Sequence, residues 1–173
     1  MHFPVFNPVD VGCEQCKSSH HFGPKMRSYY LIHFILSGKG IFRSKNGEYT
    51  LLGGMCFVIH PGEITYYEAD KDDPWKYVWI GFESNAVPEC IKKEDVLDAP
   101  SLMPLFRELE DNIDTFNGAY GDGGVREAYL CGKITEIMMR LDLMHTRTKQ
   151  PKVEEEIHII KNYIDTHISH PLS

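Results

Sequence analysis

Short runs of alternating apolar and polar residues, each closed by a turn signal, fill the first half of the chain. A spacing of three and four takes over after Pro100. SYYLIHFIL (28–36) is rich in aromatic and β-branched residues and ends in Ser37-Gly38-Lys39-Gly40, the signature of a strand running into a turn. Asn46-Gly47 is a hairpin signal between strands at 41–43 and 48–52. Gly53-Gly54 leads into the apolar MCFVIH (55–60), Pro61-Gly62 into 64–68, and KYVWIGFE (76–83) is the last clear strand. Six or seven short strands with turns this frequent predict a β-sandwich or barrel. Residues 1–26 are interrupted by Pro4, Pro8, Gly12, Gly23 and Pro24, which predicts an arm with at most one short strand.

Leu102, Leu105, Phe106, Leu109, Ile113 and Phe116 give one apolar helical face, with Ser101 placed to cap it and Gly118 to stop it. NGAYGDGG (117–124) reads as a loop. A second helix is expected from Val125 to about Met144. Its line Leu130, Ile134, Ile137 and Leu141 is widened by Cys131, Met138 and Met139. That is more apolar surface than packing on one sheet requires, so a homodimer interface is expected there, the alternative being deep burial in the chain's own domain. HTRTKQPK (145–152) contains Pro151 and reads as a polar linker. Val153, Ile157, Ile160, Ile164 and Ile168 then mark an amphipathic helix with no evident counterpart.

Composition narrows the classes. The chain has 173 residues, enough for one domain with its own core, and its 42% hydrophobic and 25% charged content is that of a soluble globular protein. A net charge of -7 makes this chain by itself a poor partner for phosphate backbones. No apolar run is long enough for a transmembrane helix, and the start shows no secretion signal. Five cysteines, an odd number and mostly in apolar runs, suggest reduced thiols and a cytoplasmic setting. Cys13 and Cys16 form a C-x-x-C near His20 and His21; two unrelated thiols are the simpler reading, and a zinc site completed by those histidines is the alternative.

No nucleophile elbow, P-loop or dinucleotide fingerprint occurs. Ser37-Gly38-Lys39-Gly40 enters a strand rather than a helix, so it lacks the phosphate-binding context. Asp72-Asp73 lies in a polar loop, where solvated charge is the simpler reading. A small barrel of this pattern resembles a cupin. At the metal-ligand positions that resemblance implies, Thr65 stands where a histidine is expected, Met55 follows Gly54 where an aspartate is usual, and no His-x-His is present. No catalytic residue, metal or cofactor is therefore expected.

Binding chemistry is better represented. Period two puts Tyr77, Trp79 and Gly81 on one face of 76–83 and Val78, Ile80 and Phe82 on the other. The apolar face should pack on helices. The aromatic face, with Tyr67 across the hairpin, could stack on a sugar ring and bond its hydroxyls, or could be an ordinary aromatic core. Arg27 could fork onto a polar ligand or anchor a loop, and His33 could reach a ligand or satisfy a core hydrogen bond. His21 is a weaker candidate.

YLIHFILSGKGIF, HPGEITYYEAD and PWKYVWIGF together resemble the sensor domain of AraC-family transcriptional regulators over roughly residues 12–145. The resemblance implies a mainly β fold with C-terminal helices, a cupin-like jelly-roll β-barrel followed by a helical dimerisation hairpin. It also implies a small-molecule effector, often a sugar, held by Tyr67, Tyr77 and Trp79 with a polar contact from the 21–27 segment. Tyr77 stands where some sugar-binding relatives have a histidine. The terminal EEIHIIKNYIDTHISHPLS looks like the first helix of the family's DNA-binding domain. The implied division is an effector-binding barrel with its N-terminal arm at 1–97, a helical dimerisation region at 98–146, and a linker with a first-helix stub at 147–173. The whole is expected to be a truncated, non-enzymatic, homodimeric regulatory domain that reaches DNA only through helix-turn-helix units not in this chain, and has no membrane partner. Two alternatives are a stand-alone cupin enzyme (a sugar isomerase or metal-dependent oxygenase) and a domain with a closed pocket that only dimerises.

Overall fold

The alternation in the strands produces a sheet that carries a separate core on each face. A computed structural model describes residues 5–118 and 124–168. The side chains of Phe116, Val153, Ile164 and Ile168 lie outside the described residues. The strands are β1 (Asn7–Gln15), β2 (His21–Met26), β3 (Tyr30–Ser37), β4 (Lys39–Ser44), β5 (Gly47–Leu52), β6 (Met55–Ile59), β7 (Ile64–Ala69), β8 (Lys76–Glu83) and β9 (Val96–Asp98). The helices are α1 (Glu89–Lys93), α2 (Met103–Gly118) and α3 (Val125–Ile168). The strands pair antiparallel into a five-stranded sheet, β1-β8-β3-β6-β9, and a four-stranded sheet, β2-β7-β4-β5. The chain is thus mainly β with C-terminal helices, in a cupin-like two-sheet arrangement.

In β3, Leu31, His33 and Ile35 point between the sheets, while Ile32, Phe34 and Leu36 point to the helices. β8 divides as its period predicts, with Tyr77 and Trp79 inside and Val78, Ile80 and Phe82 against the helices. Phe34 stacks on Phe106 of α2 with ring centroids 4.5 Å apart. The inner core joins Phe42, Leu51, Phe57 and Trp75, all fully buried, and Gly40 lets the β4 backbone lie against the Trp75 ring.

Four expectations need correction. The 1–26 region supplies two strands, β1 and β2, each broken in register, between Pro8 and Asp10 and between Phe22 and Lys25. Those shifts absorb the prolines and glycines that argued against strands. Ser101 lies within a 3-10 turn, Pro100–Leu102, that precedes α2 and has Ala99 at its N-cap, so it does not cap the helix. The stretch 145–152 is not an extended linker, because α3 runs without interruption from Val125 to Ile168. A proline removes one backbone donor, but the helical backbone continues through Pro151.

The fourth correction concerns the interface. Leu130, Ile134, Ile137 and Leu141 are 2, 0, 0 and 3% exposed and belong to the core formed by α2, α3 and the outer face of the five-stranded sheet. A helix packed on both a sheet and another helix needs an apolar arc wider than one face, and that accounts for the breadth of the pattern. None of the four is available to a second copy. Ile157, Ile160 and Tyr163, further along α3, are exposed. Among the described residues no helix is long and apolar enough to cross a membrane.

Candidate functional site

Between the two sheets lies a cavity of about 210 Å³. Tyr77 and Trp79 enter it from β8, Leu31 and His33 from β3, and Tyr67 from β7. Asp10 and Glu14 of β1, His20 of the β1–β2 turn, Phe22 of β2 and Arg27 complete the lining. The structure therefore gathers Arg27, His33, Tyr67, Tyr77 and Trp79, five of the six residues singled out in the sequence. His21 does not join them. It is exposed, stacks on Tyr66 with centroids 5.9 Å apart, and places Nδ1 3.4 Å from the Ser19 carbonyl. It opens β2, where Phe22 is the residue that turns inward to stack on Tyr67, so His20 and not His21 reaches the cavity.

The aromatic side of the site is ordered by ring contacts. His33 lies flat on Phe57, centroids 4.4 Å apart, with Tyr67 and Tyr77 each at 5.0 Å and Trp79 at 6.1 Å. Gly12 of β1 pairs with Trp79 of β8, and a Cβ there would fall 2.2 Å from the indole Cζ2. Only glycine leaves the indole its place over the cavity.

The polar side has groups of both signs. Arg27 Nη1 donates to Tyr29 Oη at 3.2 Å, and its guanidinium lies over the Phe22 ring at 5.0 Å. Arg27 Nε and His33 Nδ1 are buried without a hydrogen-bond partner. Buried polar atoms are normally paired, so two orphans beside one cavity point to a ligand that satisfies them. Asp10 and Glu14 also line the cavity, and Tyr77 Oη donates to Glu14 Oε2 at 3.4 Å. Burial pushes the Tyr67 phenol up to about 12, and burial first, then the neighbouring Tyr67, raises Tyr77 as well. Both remain neutral hydroxyl donors near neutral pH.

His33 is lowered from its ordinary 6.5 to about 3, first by burial and then by the Arg27 charge. Between those values the unfolded chain holds a proton that the folded chain excludes. The stabilisation from keeping His33 neutral is fully present above pH 6.5. It falls by about 1.4 kcal/mol for each pH unit below that until the folded value is reached. Denaturation of the wild type and His33→Phe at pH 7 and pH 5 should show the flatter dependence in the variant; equal losses in both would reject the assignment.

Asp10, Glu14 and His20 were missed because they sit in the segment read as an arm. The usable signal was the alternation Asp10-x-Gly12-x-Glu14-x-Cys16, polar or small where a core strand would be apolar. The C-x-x-C does not converge. Cys13 is exposed near Lys76 and Glu110, and Cys16 is buried beside Tyr77 and Trp75. The cupin-type ligand positions hold Thr65, buried in β7, and Met55 at the start of β6. Among the described residues, one group of metal-type donors lies elsewhere, at Glu14, Cys16 and His20.

The AraC-like ligand binding domain family matches residues 7–130. The Msm operon regulatory protein of Streptococcus mutans serotype c (strain ATCC 700610 / UA159) is 38% identical over 112 residues, 59% of this chain and 38% of that protein. The raffinose operon transcriptional regulatory protein RafR of Pediococcus pentosaceus is 40% identical over 93 residues, 53% of this chain and 34% of that protein. The matches thus span little more than a third of these relatives' length. Among solved structures, ToxT from Vibrio cholerae aligns with a TM-score of 0.47 at 10% identity, covering 81% of this chain and 57% of that one.

Proposed function

The chain belongs to the AraC-like ligand binding domain family, and from that premise we propose that it is the effector-sensing part of a sugar-responsive transcriptional regulator. The observation that carries the reading is the cavity between the sheets, lined by the Trp79 and Tyr77 rings and by Arg27 and His33, whose Nε and Nδ1 are buried without a hydrogen-bond partner. At about 210 Å³ it lies below the roughly 300–1,000 Å³ of sites for drug-sized ligands, so it suits one small ring. Neutral phenols, two carboxylates and one guanidinium suit a polyhydroxylated neutral molecule, because carboxylates accept from sugar hydroxyls and repel an anion. That both curated relatives regulate operons, one of them named for raffinose, supports the same class.

In this reading residues 1–97 sense, 98–146 dimerise, and 147–173 lead towards a DNA-binding domain outside this chain. The protein is a cytoplasmic regulator and not an enzyme. Calorimetry and tryptophan fluorescence with mono- and oligosaccharides test the sensing role. Saturable binding of a neutral sugar is expected. An anion that binds instead, and is lost on Arg27→Ala, would overturn the sugar assignment. No binding at all would favour a domain that only dimerises.

The dimer, with Leu130, Ile134, Ile137 and Leu141 committed to the core, falls to the opposite side of α3. Met139 and Leu143 are 60 and 54% exposed there. Met139 also borders an apolar groove of about 760 Å³ lined by Phe6, Val87 and Met138. A second copy is the occupant proposed for it. Met139→Glu should shift sedimentation towards monomer while leaving the melting temperature nearly unchanged. A wild-type chain that is monomeric at high concentration contradicts the proposal.

A further inference from the structure

We propose that Glu14, Cys16 and His20 form a site for one divalent transition-metal ion of the zinc class, at the rim of the barrel cavity. The side-chain donor atoms of the three residues all lie within 4.8 Å of one another. His20 Nε2 and Glu14 Oε1 are 3.6 Å apart. Zinc bonds of about 2.0–2.3 Å set the edges of a ligand tetrahedron at about 3.3–3.7 Å. The imidazole–carboxylate pair is therefore already at bonding separation, and closure around an ion requires the remaining donors to move in by about 1 Å.

The donor set also fits. Thiolate, imidazole and carboxylate together suit a borderline-soft ion, whereas calcium or magnesium would require oxygen alone. The backbone holds two of the donors in place. Cys16 N–H donates to the Trp75 carbonyl at 3.1 Å, and the His20 carbonyl accepts from Ala69 N–H at 2.8 Å, fixing the turn to β7 and to the chain before β8. The second carboxylate oxygen of Glu14 accepts from Tyr77 Oη, the kind of outer contact that orients a metal-bound carboxylate. Three protein donors leave a fourth position open, as in reactive rather than purely structural zinc sites. Glu14 and His20 both line the cavity, so that position faces the space where an effector would sit.

The site is distinct from the cupin-type ligand positions that led to the expectation of no metal. It does not depend on the sugar reading, since metal can be titrated without sugar. Chain stripped by chelator should bind one Zn²⁺ per chain by calorimetry. Co²⁺ should give a thiolate-to-metal charge-transfer band and the intense visible absorption of a tetrahedral centre. Cys16→Ser should abolish the charge-transfer band, and His20→Ala should weaken binding at least about ten-fold. Cys13→Ser, on the exposed side of β1, should change neither. Absence of stoichiometric binding overturns the proposal, as does a band that persists in Cys16→Ser or vanishes in Cys13→Ser. If circular dichroism shows that Cys16→Ser does not fold, His20→Ala, at a partly exposed turn, decides: unweakened binding rejects the site.

Discussion

An acidic side chain at Ile134 is expected to unfold the domain rather than to split a dimer. Ile134 is fully buried, in a core shared with Phe34, Phe106 and Ile137. Truncation to alanine there should cost about 2–5 kcal/mol from lost burial and the cavity left behind. At roughly 2–4 °C per kcal/mol for a chain of this size, the melting temperature should fall by at least several degrees. Ile134→Glu should be worse, because bringing a carboxylate into an apolar core is costlier than leaving a cavity. Circular dichroism melting of Ile134→Ala and Ile134→Glu beside Met139→Glu makes the comparison. If Ile134→Glu keeps the wild-type melting temperature and only changes the sedimentation coefficient, the placement of α3 against the sheet is wrong.

The second large effect is expected at Trp79. If the indole is a stacking surface for the effector, Trp79→Ala should weaken binding by about 1–3 kcal/mol, or about 5–150-fold in dissociation constant. Loss of the ring could also loosen the barrel, so Gly12→Ala gives an independent measurement. It keeps the indole but forces it off the β1 backbone, where a Cβ would lie 2.2 Å from the ring. Both variants should lose affinity, measured by calorimetry with a sugar that binds the wild type. Unchanged affinity in either, with the fold intact, would remove Trp79 from the site.

These expectations also show which parts of the chain could be read without coordinates. β8 was legible because its two faces differ in kind: Val78, Ile80 and Phe82 are uniformly apolar, while Tyr77 and Trp79 carry polar tips. Period two then assigns each residue its side. β1 was not legible because, of its inward residues, Asp10 and Glu14 border a cavity and Gly12 lies against the Trp79 ring, so none of them need be apolar. A strand sought by its hydrophobic face is passed over when that inner face lines a cavity with polar and small residues. Its register shift at Pro8–Asp10 removed the remaining regularity. The α3 pattern was read correctly as broad but was given the wrong neighbour, since sequence shows how much of a helix is apolar and not whether a sheet, a helix or another chain covers it. Pro151 suggested a break through local chemistry, and the helical backbone continues past it.

The two faces of the five-stranded sheet have a consequence for how such a domain can change over time. Along β3 and β8 the residues that meet the cavity and those that meet the helices alternate, so they occupy separate sets of positions in one stretch of sequence. Substituting His33, Tyr77 or Trp79 would change the lining of the cavity and leave Ile32, Phe34, Val78 and Ile80 to hold the helices as before. A new chemical preference can therefore be acquired by point changes at every second residue, without rebuilding the scaffold that supports them. The same interleaving makes a one-residue insertion in either strand far more damaging than any single replacement, since it would exchange the two vocabularies along the rest of the strand.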